Sequence, residues 1–451
     1  MSVVSEILKK KQLSIGIFGI GKSNVCVIEY LRKLNPSAKF TLRSDNAFED
    51  GISFSAERFF CGKNAFDDID ENILFLSPSV NRSRREIVEA QKQGVIIFSD
   101  AELFFEKTNV LPICVTGSDG KSTTTHLIAE AISNEGIPSI PCGNYGRGLC
   151  SVIDEPLFPV IELSSFQLNY MKPRSQAAII TNITPNHLNW HSSFDEYIEA
   201  KINITYNSDK VIFDSDSDIL TDRFKKSNVY AKTSLTKSYE ILKAIGGAEN
   251  YVTYKNETIY INEFPFINIS KAKRKESYNI RNFLLTVSAS MNQCSESAIS
   301  DSINSFFGLP HRAEKIFEHN GIKYLDSSID SSPERTIKTL SALSEKPVVI
   351  IGGLGKHLPL NDLAYALPKL TRGAVLLGEV GFELEKLLSE SKKLYPFYIS
   401  STMLNAVSIA TELARPIGTV ILSPAATSFD NYKNFSERGN DFKQCVLSLF
   451  R

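Results

Sequence analysis

The apolar run Leu111-Pro-Ile-Cys-Val-Thr116 breaks at Gly117-Ser-Asp-Gly120, and Lys121-Ser-Thr-Thr124 then opens a helical pattern that reaches about Asn134. A run this short reads as a buried strand, and two glycines in four residues allow a turn that other residues resist. The helix that follows aims its positive end back at the turn. Strand, glycine turn and helix in that order belong to a parallel sheet with crossover helices, so the segment commits the chain to an α/β architecture. Backbone N–H groups of Gly117, Ser118, Asp119 and Gly120 form a concave anion site in such a turn. Lys121 is placed to neutralise β- and γ-phosphate charge, Ser122 to ligate a magnesium ion, and Thr123 to continue the same turn. These are the parts of a nucleotide phosphate site. Position 115 is Val where the longer G-x-x-x-x-G-K-S pattern begins with Gly, which argues against generic P-loop ancestry and leaves the chemistry of the turn intact.

The same alternation of short apolar runs and helical patterns recurs on both sides. Upstream, residues 14–19, 39–43 and 72–76 read as strands and 24–33 as a helix. Downstream, 159–163, 177–181 and 210–213 read as strands, and 250–268 alternates polar and apolar residues as a small antiparallel sheet does. A third block restarts after Gly308-Leu-Pro310, with strands at 347–353, 374–377 and 419–422. A chain of 451 residues is too long for one core. The pattern predicts three domains, 1–108, 109–310 and 311–451. They are expected to be a Rossmann-like amino-terminal domain, a central P-loop-type parallel sheet carrying a small antiparallel sheet, and a Rossmann-like carboxy-terminal domain.

Charge excludes some functions. Lys+Arg of 50 against Asp+Glu of 51 leaves a formal net charge of -1, without the basic excess that nucleic-acid binding needs. No apolar run approaches the roughly 18 residues of a membrane span. The amino terminus, MSVVSEILKKKQLSIGIFGIGKS, lacks the long apolar region and small-residue cleavage site of a secretory signal, so a cytoplasmic protein is expected. Seven scattered cysteines without a CxxC pair point to small core residues and not to a metal or disulfide framework. The expected partners are small molecules, and the expected state is a monomer.

Further motifs follow the phosphate turn. Glu162-Leu-Ser-Ser-Phe-Gln-Leu168 comes after one strand, Asn182-Ile-Thr-Pro-Asn-His187-Leu-Asn-Trp-His191 after the next, and Tyr197-Ile-Glu-Ala-Lys201 lies on a helix. Gly143-Asn-Tyr-Gly146, Ser277-Tyr-Asn-Ile-Arg-Asn282, Leu309-Pro-His-Arg-Ala-Glu314 and Asp326 complete the series. Singly, each has an ordinary explanation: a solvated Glu at a strand end, a structural His, a Lys lying along an amphipathic helix. Yet ligands of α/β sheets gather at the carboxyl ends of strands, where the turn, Glu162 and His187 all fall. In type and order, from about residue 15 to 442, these motifs resemble the Mur ligases, and among them the glutamate-adding members.

The resemblance implies domains that bind, in order, a UDP-sugar, ATP and an amino acid. It implies that Glu162 and His187 hold magnesium and that Lys201 is carbamylated by CO₂ to give an anionic oxygen ligand. The catalytic set is then Lys121, Glu162, His187 and Lys201, with Ser122, Glu162, His187 and carbamylated Lys201 around the metal. Asn279 and Asn282 would read adenine, Arg312 would approach ATP, Asp326 would hold its ribose and Asn144 would contact phosphates or substrate. Asn186 and Asn189 stand where the family has Asp, and Tyr278 where it has His.

For the amino acid, Gly352-Gly-Leu-Gly-Lys356 and the stretch 422–439 match the glutamate-adding pattern, with Lys356, Ser428 and Phe435 around the glutamate. A desolvated carboxylate is best met by a cation and directed donors. Asp326-Ser-Ser-Ile-Asp-Ser-Ser332 departs from that pattern, with Ser for a lysine and one extra residue, which leaves the glutamate isomer open; the D-isomer is expected. At the amino end, Gly19-Ile-Gly21-Lys22-Ser23-Asn24 is by itself a weak dinucleotide fingerprint. The resemblance reassigns it to the UDP moiety, with Thr41, Arg43 and Ser77 nearby. The implied reaction uses ATP to join glutamate to UDP-N-acetylmuramoyl-L-alanine through an acyl phosphate, in peptidoglycan precursor synthesis. An L-glutamate-adding variant, a folylpolyglutamate synthase-like ligase and a catalytically silent nucleotide-binding regulator are the alternatives, and glutamate-dependent ATP hydrolysis separates enzyme from regulator.

Overall fold

The computed structural model describes residues 6, 8, 10, 12–19, 21–45, 56–187, 190–355, 358–390, 394–428, 431–432 and 434–450. The chain divides into two compact units, Met1–Phe306 and Phe307–Arg451.

The first unit holds two large sheets. One contains β1 (Ser14–Phe18), β2 (Lys39–Ser44), β3 (Arg58–Cys61), β4 (Ile73–Leu76) and β5 (Ile96–Phe98), all parallel in the order β3-β2-β1-β4-β5. That order reverses direction at β1, a Rossmann-like arrangement with its crevice where β1 meets β4. The other runs from β6 (Ile113–Thr116), β7 (Ser139–Gly143) and β8 (Phe158–Glu162) through β10 (Ala177–Ile180), β12 (Val211–Asp214) and β13 (Val229–Ser234) to β14 (Ala248–Lys255), β15 (Thr258–Ile261) and β16 (Phe264–Asn268). A short pair, β9 (Arg174–Ser175) with β11 (Asn207–Ser208), stands apart. The order across the large sheet is β16-β15-β14-β13-β12-β10-β6-β8-β7, which puts β6 between β8 and β10 at its centre. β6 and β10 are buried at every residue, as strands covered by helices on both faces must be. The tail 250–268 is antiparallel as expected, but β14 pairs in parallel with β13, so the hairpins extend the main sheet and do not form a separate one.

The second unit contains β17 (Glu314–His319), β18 (Ile322–Asp326), β19 (Val348–Gly352), β20 (Gly373–Leu377), β21 (Phe397–Ile399) and β22 (Gly418–Leu422), in the order β17-β18-β22-β19-β20-β21. Among the described strands of this sheet, the β17–β18 pair is antiparallel and the other pairs are parallel. Helices cover both faces, giving two apolar clusters, one around Tyr324, Val420 and Phe442 and one around Val349, Leu376 and Ile421.

Candidate active site

The loops after β6, β8 and β10 emerge side by side at the carboxyl edge of the central sheet, and they carry the phosphate turn, Glu162 and the segment 181–187. Gly117 and Gly120 have φ of +146° and +80°, in the region that favours glycine. A Cβ on Gly117 would lie 1.9 Å from Thr181 Oγ1, and one on Gly120 would lie 2.4 Å from Asn282 Oδ1. The turn is clamped from β10: Ser118 N donates to Asn182 O at 2.9 Å, Asp119 N to Asn182 Oδ1 at 2.9 Å, and Thr181 Oγ1 to Asp119 O. Ser118 directs its hydroxyl inward, to Thr184 O at 3.0 Å and the Tyr197 hydroxyl at 2.8 Å. Only its backbone is therefore placed for a phosphate. Lys121 Nζ donates to Ser118 O at 2.9 Å, which folds the ammonium back over the turn, and Thr123 is half-buried beside it.

Beside the turn, Ser122 Oγ donates to Glu162 Oε2 at 2.6 Å, with both residues buried. Two hard oxygen donors in one buried corner are the ligand type a magnesium ion requires, so the residues present fit that ion. Lys201 lies on the helix Phe194–Ile202, four residues after Tyr197 and therefore on the same face. That face turns inward: both residues are buried, Lys201 Nζ donates to Gly117 O at 2.7 Å, and it sits 4.7 Å from the centre of the Tyr197 ring. Burial, with the charge of Lys121 added, holds the Lys201 amine well below the usual lysine range, although Glu162 and Asp119 pull the other way. Desolvation also pushes the Tyr197 phenol up to about 12. His187 is exposed and sits at φ +56°, with its ring 4.9 Å from the Phe166 ring and 6.5 Å from that of Tyr197. Asn186 Oδ1 accepts from His187 N at 2.8 Å, so this departure from Asp serves the local turn; Asn189 lies outside the described residues.

Asn279 and Asn282 are buried on the helix Ser277–Ser290. Asn282 accepts from Thr124 Oγ1 at 3.3 Å and packs on Gly120, which places it against the phosphate turn itself, while Asn279 Nδ2 donates to Glu276 at 2.9 Å. Gly143 lets the turn press on the end of β8 and Gly146 lets it fold back on Pro141 of β7; Asn144 N donates to Glu162 O at 3.1 Å, and the Asn144 side chain is exposed.

In the amino-terminal sheet, Gly19 at φ +83° turns out of β1 next to Ser77, and Gly21 is exposed at the start of the helix Lys22–Leu34. Asn24, standing where a third glycine would be, donates Nδ2 to Phe18 O at 2.8 Å and Gly19 O at 2.7 Å and so fastens the helix to the strand end. Ser23 lies against the buried carboxyl of Asp100, which desolvation pushes up, and the Lys22 side chain is outside the described residues. Thr41 is buried and accepts from Arg58 Nε at 3.2 Å. The expectation that Arg43 reaches a ligand is corrected. Arg43 is fully buried and spends all five donors internally, on Glu71 and on the carbonyls of Ala65, Asp67 and Asp68. A small cavity lies where the two sheets of this unit meet, lined by Ser77, Pro78, Arg82, Ser99, Phe166 and Gln167 among others. Around it, Trp190 Nε1 donates to Ser79 O at 3.0 Å and the Arg82 guanidinium stacks 4.4 Å over the Tyr170 ring.

In the second unit, Asp326 is buried at the end of β18, and Arg312 is exposed fourteen residues before it. Ser428 is buried in the loop after β22, and Phe435 opens the helix Phe435–Ser448 with its ring partly exposed. Lys356 lies outside the described residues. Sequence reasoning did not single out Arg438. It is buried and donates to Thr427 O at 2.8 Å, Ala426 O at 3.1 Å and Ser328 O at 2.9 Å, which joins the loops after β18 and β22.

Residues 115–289 match the model of the Mur ligase middle domain. The UDP-N-acetylmuramoylalanine–D-glutamate ligase of Clostridium tetani is 32% identical over 450 residues, covering 96% of each chain. That of Clostridium perfringens is 33% identical over 462 residues and covers 98% of each. This chain is a member of the Mur ligase family. The fold agrees: the crystal structure of the UDP-N-acetylmuramate–alanine ligase of Thermotoga maritima superposes with a TM-score of 0.60 at 18% identity, covering 97% of this chain and all of that one. As a Mur ligase it is an ATP-dependent, amide-bond-forming enzyme acting on small molecules. No described helix is long and apolar enough to cross a membrane.

Within this Mur ligase, sequence reasoning also missed Thr181, Asn182 and Tyr197 as site residues. They support the phosphate turn through hydrogen bonds across more than sixty positions, and the available signal was slight: a Thr-Asn pair at the end of a buried strand, and a Tyr one helical turn before Lys201.

Proposed function

We propose that this Mur ligase joins D-glutamate to UDP-N-acetylmuramoyl-L-alanine at the expense of ATP, a step in peptidoglycan precursor synthesis. The observation that carries the reading is the buried set Ser122, Glu162 and Lys201 beside half-buried Lys121 at one sheet edge, in a chain related over 96% or more of its length to D-glutamate ligases.

The chemistry follows from charge. The turn and Lys121 hold the triphosphate of ATP, and the substrate's terminal carboxylate attacks the γ-phosphorus in line, giving an acyl phosphate and ADP. Ser122, Glu162 and His187 would hold a magnesium ion, which would supply neutralisation of the phosphate charge. Lys201 holds no such ion as an ammonium. Burial shifts its amine toward the neutral form, which would add CO₂ with loss of one proton, and the carbamate would supply an anionic oxygen ligand there. The amine of glutamate then attacks the acyl carbon, phosphate leaves and the amide is formed. Gly19, Gly21, Lys22, Ser23, Thr41, Ser77 and Asn144 are assigned to the UDP-sugar, with the amino-terminal domain ending near residue 108. Asn279, Asn282, Arg312 and Asp326 are assigned to the nucleotide, and Lys356, Ser428 and Phe435 to glutamate.

The test is phosphate release from ATP with the UDP-muramoyl-alanine substrate, in separate reactions with D- and L-glutamate. Release with the D-isomer alone is expected. Release with L-glutamate alone would overturn the isomer assignment, and release independent of either would overturn the ligase reading.

A further inference from the structure

In the second unit, the polar ends of three side chains converge on one backbone position that has no side chain. A Cβ on Gly439 would lie 2.3 Å from His311 Nδ1, 2.4 Å from Asp326 Oδ2 and 2.6 Å from Ser328 Oγ. Gly439 is buried within the regular helix Phe435–Ser448, so its requirement for glycine is one of clearance and not of backbone conformation. The three groups are bonded to one another and to that helix. His311 Nδ1 and Asp326 Oδ2 are 2.7 Å apart, Ser328 N donates to Asp326 Oδ1 at 2.8 Å, and Ser328 Oγ donates to Phe435 O at 2.7 Å. Asp326 thus has one oxygen held by a ring and the other by a backbone amide. Phe435, one turn before Gly439, has its carbonyl tied to the same loop. His311 is itself fixed from behind: its N–H donates to Glu314 Oε2 at 2.9 Å and its φ is +61°, a conformation that a non-glycine residue keeps only when its surroundings enforce it.

We propose that His311, Ser328 and Gly439 form a positioning lock that joins Asp326 to the first turn of the helix Phe435–Ser448, so that the nucleotide-side and glutamate-side contacts of this unit are set together. The lock rests on the assignment above of Asp326 to the nucleotide and Phe435 to glutamate. None of the three need touch substrate. His311 and Ser328 act through Asp326 and Phe435, and Gly439 supplies the space in which those bonds close. A displaced carboxylate tilts the loop that holds Phe435, and a displaced helix turn draws Ser328 away from Asp326. Misplacements of this size are costly because contacts to two ligands shift at once.

The experiment is steady-state kinetics of full-length His311→Ala, Ser328→Ala and Gly439→Ala, with KM measured separately for ATP, D-glutamate and the UDP-sugar substrate. Each variant is expected to raise KM for both ATP and D-glutamate by about 10-fold, with KM for the UDP-sugar unchanged. The double variant His311→Ala/Ser328→Ala should add little to either single one, since both break the same unit. If Ser328→Ala moved only the glutamate KM and His311→Ala only the ATP KM, with additive effects, the contacts would be independent and the lock overturned. Gly439→Ala is the variant at risk of misfolding, and Ser328→Ala, which leaves the backbone free, keeps the test decisive. A second readout does not depend on activity: the NMR signal of the His311 Nδ1 proton, protected in the wild type, should be lost in Asp326→Asn and in Gly439→Ala. Its persistence in both would overturn the lock even if the enzyme proved active, whereas its loss in an enzyme without glutamate-dependent phosphate release would count against the proposed function alone.

Discussion

Two buried cations in the first unit have opposite surroundings. Arg43, at the end of β2, places all five donors on a carboxylate and three carbonyls, with Phe60 stacked 4.4 Å away. Lys201, beside the phosphate turn, has one carbonyl at 2.7 Å and an aromatic face, and burial drives its amine toward the neutral form. A buried charge whose donors are all satisfied is a structural tie, because nothing is left for a ligand to take up. One that is desolvated and under-partnered is held in a reactive state, because the environment disfavours its resting charge. The sequence motifs suggested ligand roles for both, and only the count of partners separates them.

Substitution should break the pair in opposite ways. Arg43→Ala leaves the buried Glu71 with the half-exposed Arg58, 3.3 Å away, as its cation and empties the three carbonyls that Arg43 ties; we expect a loss of stability of up to about 3 kcal/mol, read as a lower denaturation midpoint, with the folded fraction still active. If folding were unaffected and only the KM for the UDP-sugar rose, Arg43 would be a ligand contact after all. Lys201→Ala should do the reverse: it should fold, lose on the order of 10²–10³-fold in kcat, and regain part of it with a short carboxylic acid that supplies the missing oxygen. An unimpaired Lys201→Ala enzyme would remove the distinction. Asn182→Ala, which strips the side-chain clamp from Asp119 N, should weaken ATP binding by about 1–2 kcal/mol in calorimetry and leave the UDP-sugar unaffected.

The smallest effect is in pH. Because the folded-state pKa of Lys201 is depressed, the unfolded chain binds a proton there that the native state lacks at any pH between that value and the ordinary lysine value of about 10.4. Stability should therefore rise with pH across that window, and Lys201→Met should flatten the rise. A wild-type profile parallel to that of Lys201→Met would show that the amine is not held neutral.

Much of this was legible beforehand. The helix read at 121–134 matches Lys121–Asn134, because a glycine turn and apolar periodicity are local signals. The strand β13 was not seen, because Val-Tyr-Ala-Lys-Thr-Ser carries a lysine in its middle; Lys232 is buried there and donates to Gly246 O at 2.6 Å, a partner fourteen residues away. Asn186, which stands where the family has Asp, accepts from the next backbone amide, a local bond that residue type alone did not reveal.

From sequence alone came the α/β order of elements, the phosphate turn with Lys121 and Ser122, and the pairing of this chain with glutamate-adding ligases, since these depend on residue type and spacing over short stretches. Tertiary structure alone decided that Arg43 faces inward, that Ser118 supports the turn with its hydroxyl, that Lys201 is stripped of water, and that Gly439 admits three side chains. Those properties depend on which distant groups share a few ångströms of space, and distance along the chain carries no information about that.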